Sequence, residues 1–226
     1  MPELNRWAAK GEVMIRFKTT MFAFLSVGAL LLVVLASTVD AADPDFTVIK
    51  SPKGAVVVWN EPPAYFSLEL PGQKFAPANL PGASLIVDGH VVQVFTVKVS
   101  EFANDARCRE DILHCYMEWE TDYRRSTWKV PLATRELAPP AADFAAWDIE
   151  VPPAPAKGSG SRVIRQIYVT RSISGIVLVL SYSLNASDPD NAGEVYLGSV
   201  ANSLAVGDRP IDVNQLRRDI ARGGTQ

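Results

Sequence analysis

The sequence predicts an α+β fold: an antiparallel sheet with one helix inserted mid-chain and another packed near the end. Three observations carry this. Short apolar runs closed by turn residues recur before position 100 and after position 143, and an apolar spacing of three and four interrupts them between Asp111 and Arg125. A helical pattern preceded by turn residues follows the last long strand, and strands paired by short turns with helices set apart from them make an α+β chain.

Taken in order, Ala55 to Trp59 is a β-branched run closed by Asn60-Glu61-Pro62-Pro63, a strand and its turn. Tyr65 to Leu70 alternates, with Phe66, Leu68 and Leu70 on one side, and Pro71-Gly72 ends it. Leu85 to Val87 and Val91 to Val99 flank Asp88-Gly89, a pair that supplies the positive backbone angles of a tight hairpin. From Asp111 to Arg125 the residues Ile112, Cys115, Tyr116, Trp119 and Tyr123 define an amphipathic helix, with Glu110 and Asp111 at its start and Arg124 and Arg125 at its end, as the helix dipole favours. Phe144 to Val151 reads as a strand. Arg162 to Arg171 and Gly175 to Leu184 are two longer ones, and the apolar run Ile176 to Leu180 marks the second as central and covered on both faces. Asp188-Pro189-Asp190-Asn191 precedes a helix near Ala192 to Leu204 whose apolar positions are Val195, Leu197, Val200 and Leu204. A last, charged helix from Val213 to Ala221 is expected to fray.

The amino end has a different character. Arg6, Lys10, Arg16 and Lys18 precede an uncharged apolar run from Met21 to Ala36, and Val39 and Ala41 are small residues at the two positions a signal peptidase reads. Residues 1–41 are therefore expected to be a signal peptide cleaved near Ala41, with Met1 or the more compactly placed Met14 as the start. An uncleaved anchor is the alternative, although about 16 apolar residues rise only about 24 Å as a helix against a hydrocarbon core of roughly 30 Å. The mature chain is expected to be one α+β domain over 42–208 followed by a tail with a short helix over 209–226, and to be periplasmic or secreted. The proline-rich stretch from Pro152 to Ser161 reads as a loop within it.

Removing residues 1–41 takes away four basic and three acidic residues and moves the formal charge from −3 to −4. A mildly acidic chain without a basic run disfavours nucleic acid and anionic membrane surfaces as partners, so membrane association is expected only through an uncleaved amino-terminal segment.

Cys108 and Cys115 are the only cysteines, and an even pair in an exported chain points to a disulfide. Seven residues apart on one unbroken helix, their Cα atoms would lie about 10.5 Å apart, against the roughly 4.4 to 6.8 Å that a bridge requires. Cys108 must therefore sit in an irregular turn folded back on the helix that holds Cys115. The competing reading, two thiols with His114 on zinc, lacks ligands, because His90 is the only other histidine. That scarcity also weakens any triad that needs a histidine base, and His90 itself is expected in a solvated turn beside Gly89. Asp188, Asp190 and Gly193 fall short of a calcium loop, whose fifth and twelfth positions would be Ala192 and Ser199. Neither a metal nor a cofactor is expected. Asn185-Ala186-Ser187 has the form of a glycosylation acceptor. The best contact patch for a partner or an anion is Arg124, Arg125, Trp128 and Lys129, while Trp119, Trp128 and Trp147 read as core or rim.

Three segments together, Phe66-Ser67-Leu68-Glu69-Leu70-Pro71-Gly72, Leu180-Ser181-Tyr182-Ser183 and Ser199-Val200-Ala201-Asn202-Ser203-Leu204, resemble the PsbP-like α/β/α sandwich family of extrinsic photosystem proteins and exported bacterial relatives, over about Tyr65 to Val206. The resemblance is one of element pattern, and it implies a non-enzymatic accessory or binding module of the bacterial envelope with no functional residues to carry over. Two alternatives remain: an envelope enzyme whose site assembles from carboxylates such as Glu118, Glu120 and Asp122, and a membrane-anchored subunit of a complex.

Overall fold

A computed structural model describes residues 46–78, 80, 82–103, 108, 110–152 and 162–222. The expected signal peptide, its cleavage point and most of the proline-rich loop lie outside the described residues. Among the described residues, eleven strands and four helices follow in chain order: β1 (Phe46–Ser51), β2 (Gly54–Trp59), β3 (Tyr65–Pro71), β4 (Phe75–Pro77), β5 (Ala83–Val87), β6 (His90–Lys98), α1 (Val99–Phe102), α2 (Ile112–Trp128), β7 (Thr134–Leu137), β8 (Phe144–Glu150), β9 (Val163–Ile173), β10 (Ile176–Asn185), α3 (Ala192–Asn202), β11 (Ala205–Gly207) and α4 (Val213–Ala221).

The chain is α+β, but its strands form two antiparallel sheets where one was expected. Seven strands run β4-β5-β6-β10-β9-β8-β7, and four run β1-β2-β3-β11. All ten residues of β10 are buried and it lies fourth of seven, the central doubly covered place its apolar run predicts. Its alternate side chains serve two cores. Ile176, Leu178, Leu180 and Leu184 pack with Phe66, Leu68 and Leu70 of β3 and with Leu197 and Val200 of α3. Val177 and Val179 face the other way, onto Tyr116 and Met117 of α2 together with Trp147 and Tyr168. The hairpin turn at Asp88-Gly89 has positive φ at both residues, 49° and 95°, as its sequence requires.

Helix α2 starts one residue after Asp111, whose carboxylate accepts from the His114 backbone N–H at 3.0 Å. Its buried face is Tyr116, Met117, Glu120 and Thr121. The expected stripe was placed about one residue off: Tyr123 is 53% exposed, whereas Glu120 goes inward. Helix α3 likewise turns Val195 outward, 65% exposed, and uses Gly193 to approach the sheet. A Cβ on Gly193 would stand 2.4 Å from Ile167 Cδ1 and 2.8 Å from Tyr182 Cδ1.

The last helix has the expected bounds and a packing role that its charge obscures. Val213, Leu216 and Ile220 of α4, with Ile211, cover Ile49, Val56 and Val58 on the outer face of the four-stranded sheet. The Asn60 side chain clips this segment, donating to the Ile211 carbonyl and accepting from the Ile211 N–H, each at 2.8 Å.

Cys108 and Cys115 are bridged, with Cα atoms 5.2 Å apart. Cys108 lies before α2 begins and Cys115 within its first turn, the folded-back geometry that helix dimensions demand.

Candidate functional site

Three strands at one margin of the seven-stranded sheet meet the start of α3 in a cavity of about 1050 Å³. In β8, Phe144 and Ala146 point into the main core, so the period of two carries Asp148 to that same side, where it is only 2% exposed. A carboxylate cannot be left there alone, because burying an unpaired charge costs several kcal/mol. Strands on either side supply the partners. Arg135, opposite Asp148 in β7, donates Nη2 to Asp148 Oδ2 at 2.6 Å, and Arg165 of β9 donates Nη1 to the same oxygen at 2.7 Å. Arg165 is 12% exposed and its other terminal nitrogen donates to the Asp190 carbonyl. Arg135 is 60% exposed and lines the cavity.

Around this bridge the cavity is lined by Glu150, Arg162, Asp190 and Glu194, with apolar walls from Val130, Pro131, Leu132 and Ile164. The hydrogen bond to Asp148 does most to raise the Arg135 pKa, and Glu194 and Asp190 lie near enough to add to it. Among the described residues no histidine or cysteine lines the cavity. None of its members belongs to the patch expected from the sequence.

That patch lies at the far end of α2 and is partly spent. Arg124 donates Nε to the buried Glu120 Oε1 at 2.7 Å and lies over the rings of Tyr123 and Trp128, 5.8 and 5.9 Å from their centres. Arg125 pairs with exposed Asp122, and Lys129 ends the helix with a left-handed φ of 56°. Burial raises the Glu120 pKa, against the opposing pull of Arg124. The Tyr168 hydroxyl stands 3.5 Å from Glu120 and its pKa is likewise raised by burial. Glu118 pairs outward with His114 at 3.5 Å, so Glu118, Glu120 and Asp122 do not converge. Trp147 is fully buried, as expected of a core residue.

His90 is not in a solvated turn. It opens β6, stacks on Tyr182 with ring centres 5.0 Å apart, and places Nδ1 3.1 Å from Asn185 Nδ2. Burial pushes Tyr182 up to about 12. Asn185 is itself buried, which removes the acceptor amide of the Asn-Ala-Ser triplet from the surface. Asp188 accepts from the Asn185 backbone N–H at 2.6 Å, a turn role. Among the described residues no group of three His, Cys, Asp or Glu side chains could hold a metal ion, and no helix is long and apolar enough to cross a membrane.

Asp148 was the readable signal that sequence reasoning missed: an acid at the inward phase of an alternating strand needs cationic partners on its neighbours. Comparison with protein-family models, curated proteins and solved structures finds no match to this chain.

Proposed function

We propose that the chain is an exported, non-catalytic binding or accessory module of the bacterial envelope, and that the cavity beside Asp148 is its contact site. One observation carries the reading. The buried charge in the cavity is bridged by two guanidinium groups, one of them exposed to a guest, and among the described residues no histidine or cysteine lines the cavity. Arginines held against a buried carboxylate are suited to recognising a charged guest. The Cys108–Cys115 bridge fits an oxidising compartment outside the cytosol. In this reading residues 1–41 are a leader cleaved near Ala41, residues 42–208 are the domain, and the resemblance to the PsbP-like α/β/α sandwich supports an accessory role.

A photo-crosslinking side chain placed at Thr134, an exposed residue on the cavity wall, tests the proposal in cells. The expected result is one dominant crosslinked partner in the envelope fraction, lost on Arg135→Ala. Native protein recovered from the cytosol with residues before Ala42 intact and both thiols free would overturn the reading.

A further inference from the structure

Arg135 spends one nitrogen on Asp148, and no partner among the described residues engages its Nε or Nη1. In the same cavity stand the side chains of Glu194 and Asp190, each without an ion-pair partner among the described residues. Their charges are near enough to raise the Arg135 pKa, yet no ion pair joins them to it. Opposite charges therefore share one cavity without closing it. Arg162 and Glu150 line the cavity too, so charges of both signs stand in it: an inorganic anion would be repelled by the carboxylates, and a simple cation by the guanidinium groups. A guest carrying both signs, separated by a short apolar stem, satisfies both walls at once and lays its stem against Pro131, Leu132 and Ile164.

We propose, resting on the binding-module reading above, that the cavity takes a short zwitterionic peptide, with its terminal carboxylate on Arg135 and its terminal ammonium on Glu194 and Asp190. With Nη2 on Asp148, the Nε and Nη1 protons point to different edges of the guanidinium, and a guest carboxylate takes a charge-assisted hydrogen bond from one of them. Asp148 is a positioning residue: almost fully buried itself, it anchors one corner of the Arg135 fork and so holds the remaining donors ready. The cavity volume of about 1050 Å³ lies just above the roughly 300–1,000 Å³ usual for small-ligand sites, room for a peptide of a few residues.

Isothermal titration of the purified, disulfide-intact protein with trialanine, N-acetyl-trialanine and trialanine amide reads the two ends separately. Trialanine is expected to bind, and blocking either end to weaken binding by about tenfold or more, the loss of one charge-assisted contact. Arg135→Ala should remove the preference for trialanine over its amide, and Glu194→Gln should reduce the preference over the acetylated form. Both side chains are at least partly exposed, so neither change endangers the fold. No binding at millimolar trialanine, equal binding of the three peptides, or an unchanged end preference in Arg135→Ala overturns the proposal. If the peptides fail while the Thr134 crosslink still captures its partner in an Arg135-dependent way, the ligand class is wrong and the module reading stands. If both fail, both are wrong.

Discussion

Replacing Asp148 with alanine strands a buried guanidinium, and the two arginines it bridges differ enough in exposure to make the cost predictable. Arg165, 12% exposed and 2.7 Å from the carboxylate, has little water to turn to when its partner is lost. Breaking such a pair from one side costs about 3–5 kcal/mol. Arg135 is 60% exposed, so its own bridge is screened and worth about 0–1 kcal/mol. The expected order of destabilisation is therefore Asp148→Ala, then Arg165→Ala, then Arg135→Ala. Arg165→Ala falls in between because Arg135 still neutralises the carboxylate. For a domain of this size each kcal/mol moves Tm by roughly 2–4 °C, so Asp148→Ala should melt about 6–20 °C lower. Urea denaturation is the assay, with midpoints compared at unchanged m-value. The double variant Asp148→Ala/Arg165→Ala should cost less than the two singles together, because it removes the stranded charge with its partner. A loss below about 1 kcal/mol for Asp148→Ala, or an Arg135→Ala variant as damaged as Asp148→Ala, would refute the reasoning.

Other perturbations test other parts of the fold. Serine at both Cys108 and Cys115 should lower stability by roughly 2–3 kcal/mol, the cost of freeing a loop closed over so few residues, and reductant should do the same to the parent protein. Burial raises the Glu120 pKa above its usual 4.5, so the folded state holds that proton more tightly; the stability this gives is full below 4.5 and is lost as pH rises through the raised value. Glu120→Gln does not titrate there, so its stability relative to the parent should rise with pH through that window, and a flat difference from acid to neutral pH contradicts this. Asn60→Ala removes both hydrogen bonds to Ile211. Faster amide exchange throughout α4 with unchanged exchange in β10 is expected from hydrogen-exchange mass spectrometry, and equal acceleration in both would show that α4 is not a separate unit.

The parts legible in the sequence were those with a strong period or an unambiguous turn. The run Ile176 to Leu180 located the central strand, Asp88-Gly89 the hairpin, and helix dimensions placed Cys108 outside the helix of Cys115. Strands β4, β7 and β11 span three or four residues at sheet margins, too short for alternation to register, although β11 pairs the segment after α3 with β3. The second sheet was illegible for a related reason. Strand β2 is buried at all six positions because a sheet face covers one side and α4 with Ile211 shields the other, and a continuous apolar run does not reveal what covers it. In α2 the aromatic residues set the expected face, but Trp119 and Tyr123 stack on each other at the surface, ring centres 6.2 Å apart, while Glu120 goes under the helix with Arg124 as its partner. The cavity residues come from β7, β8, β9, α3 and the segments that flank them, and strand order brings them together.

Strand β10 stands between two meanders, β4-β5-β6 on one side and β9-β8-β7 on the other, yet it is made after both. On the ribosome, the first meander must therefore wait with one row of amides and carbonyls unanswered until nearly the whole chain has been synthesised. Late zippering of this kind is slow, because the pairing of β6 with β10 closes a loop longer than α2 and three strands combined. In the interval the nascent chain offers a greasy, unpaired margin that a holdase can grip, and a polypeptide that stays open so long remains threadable.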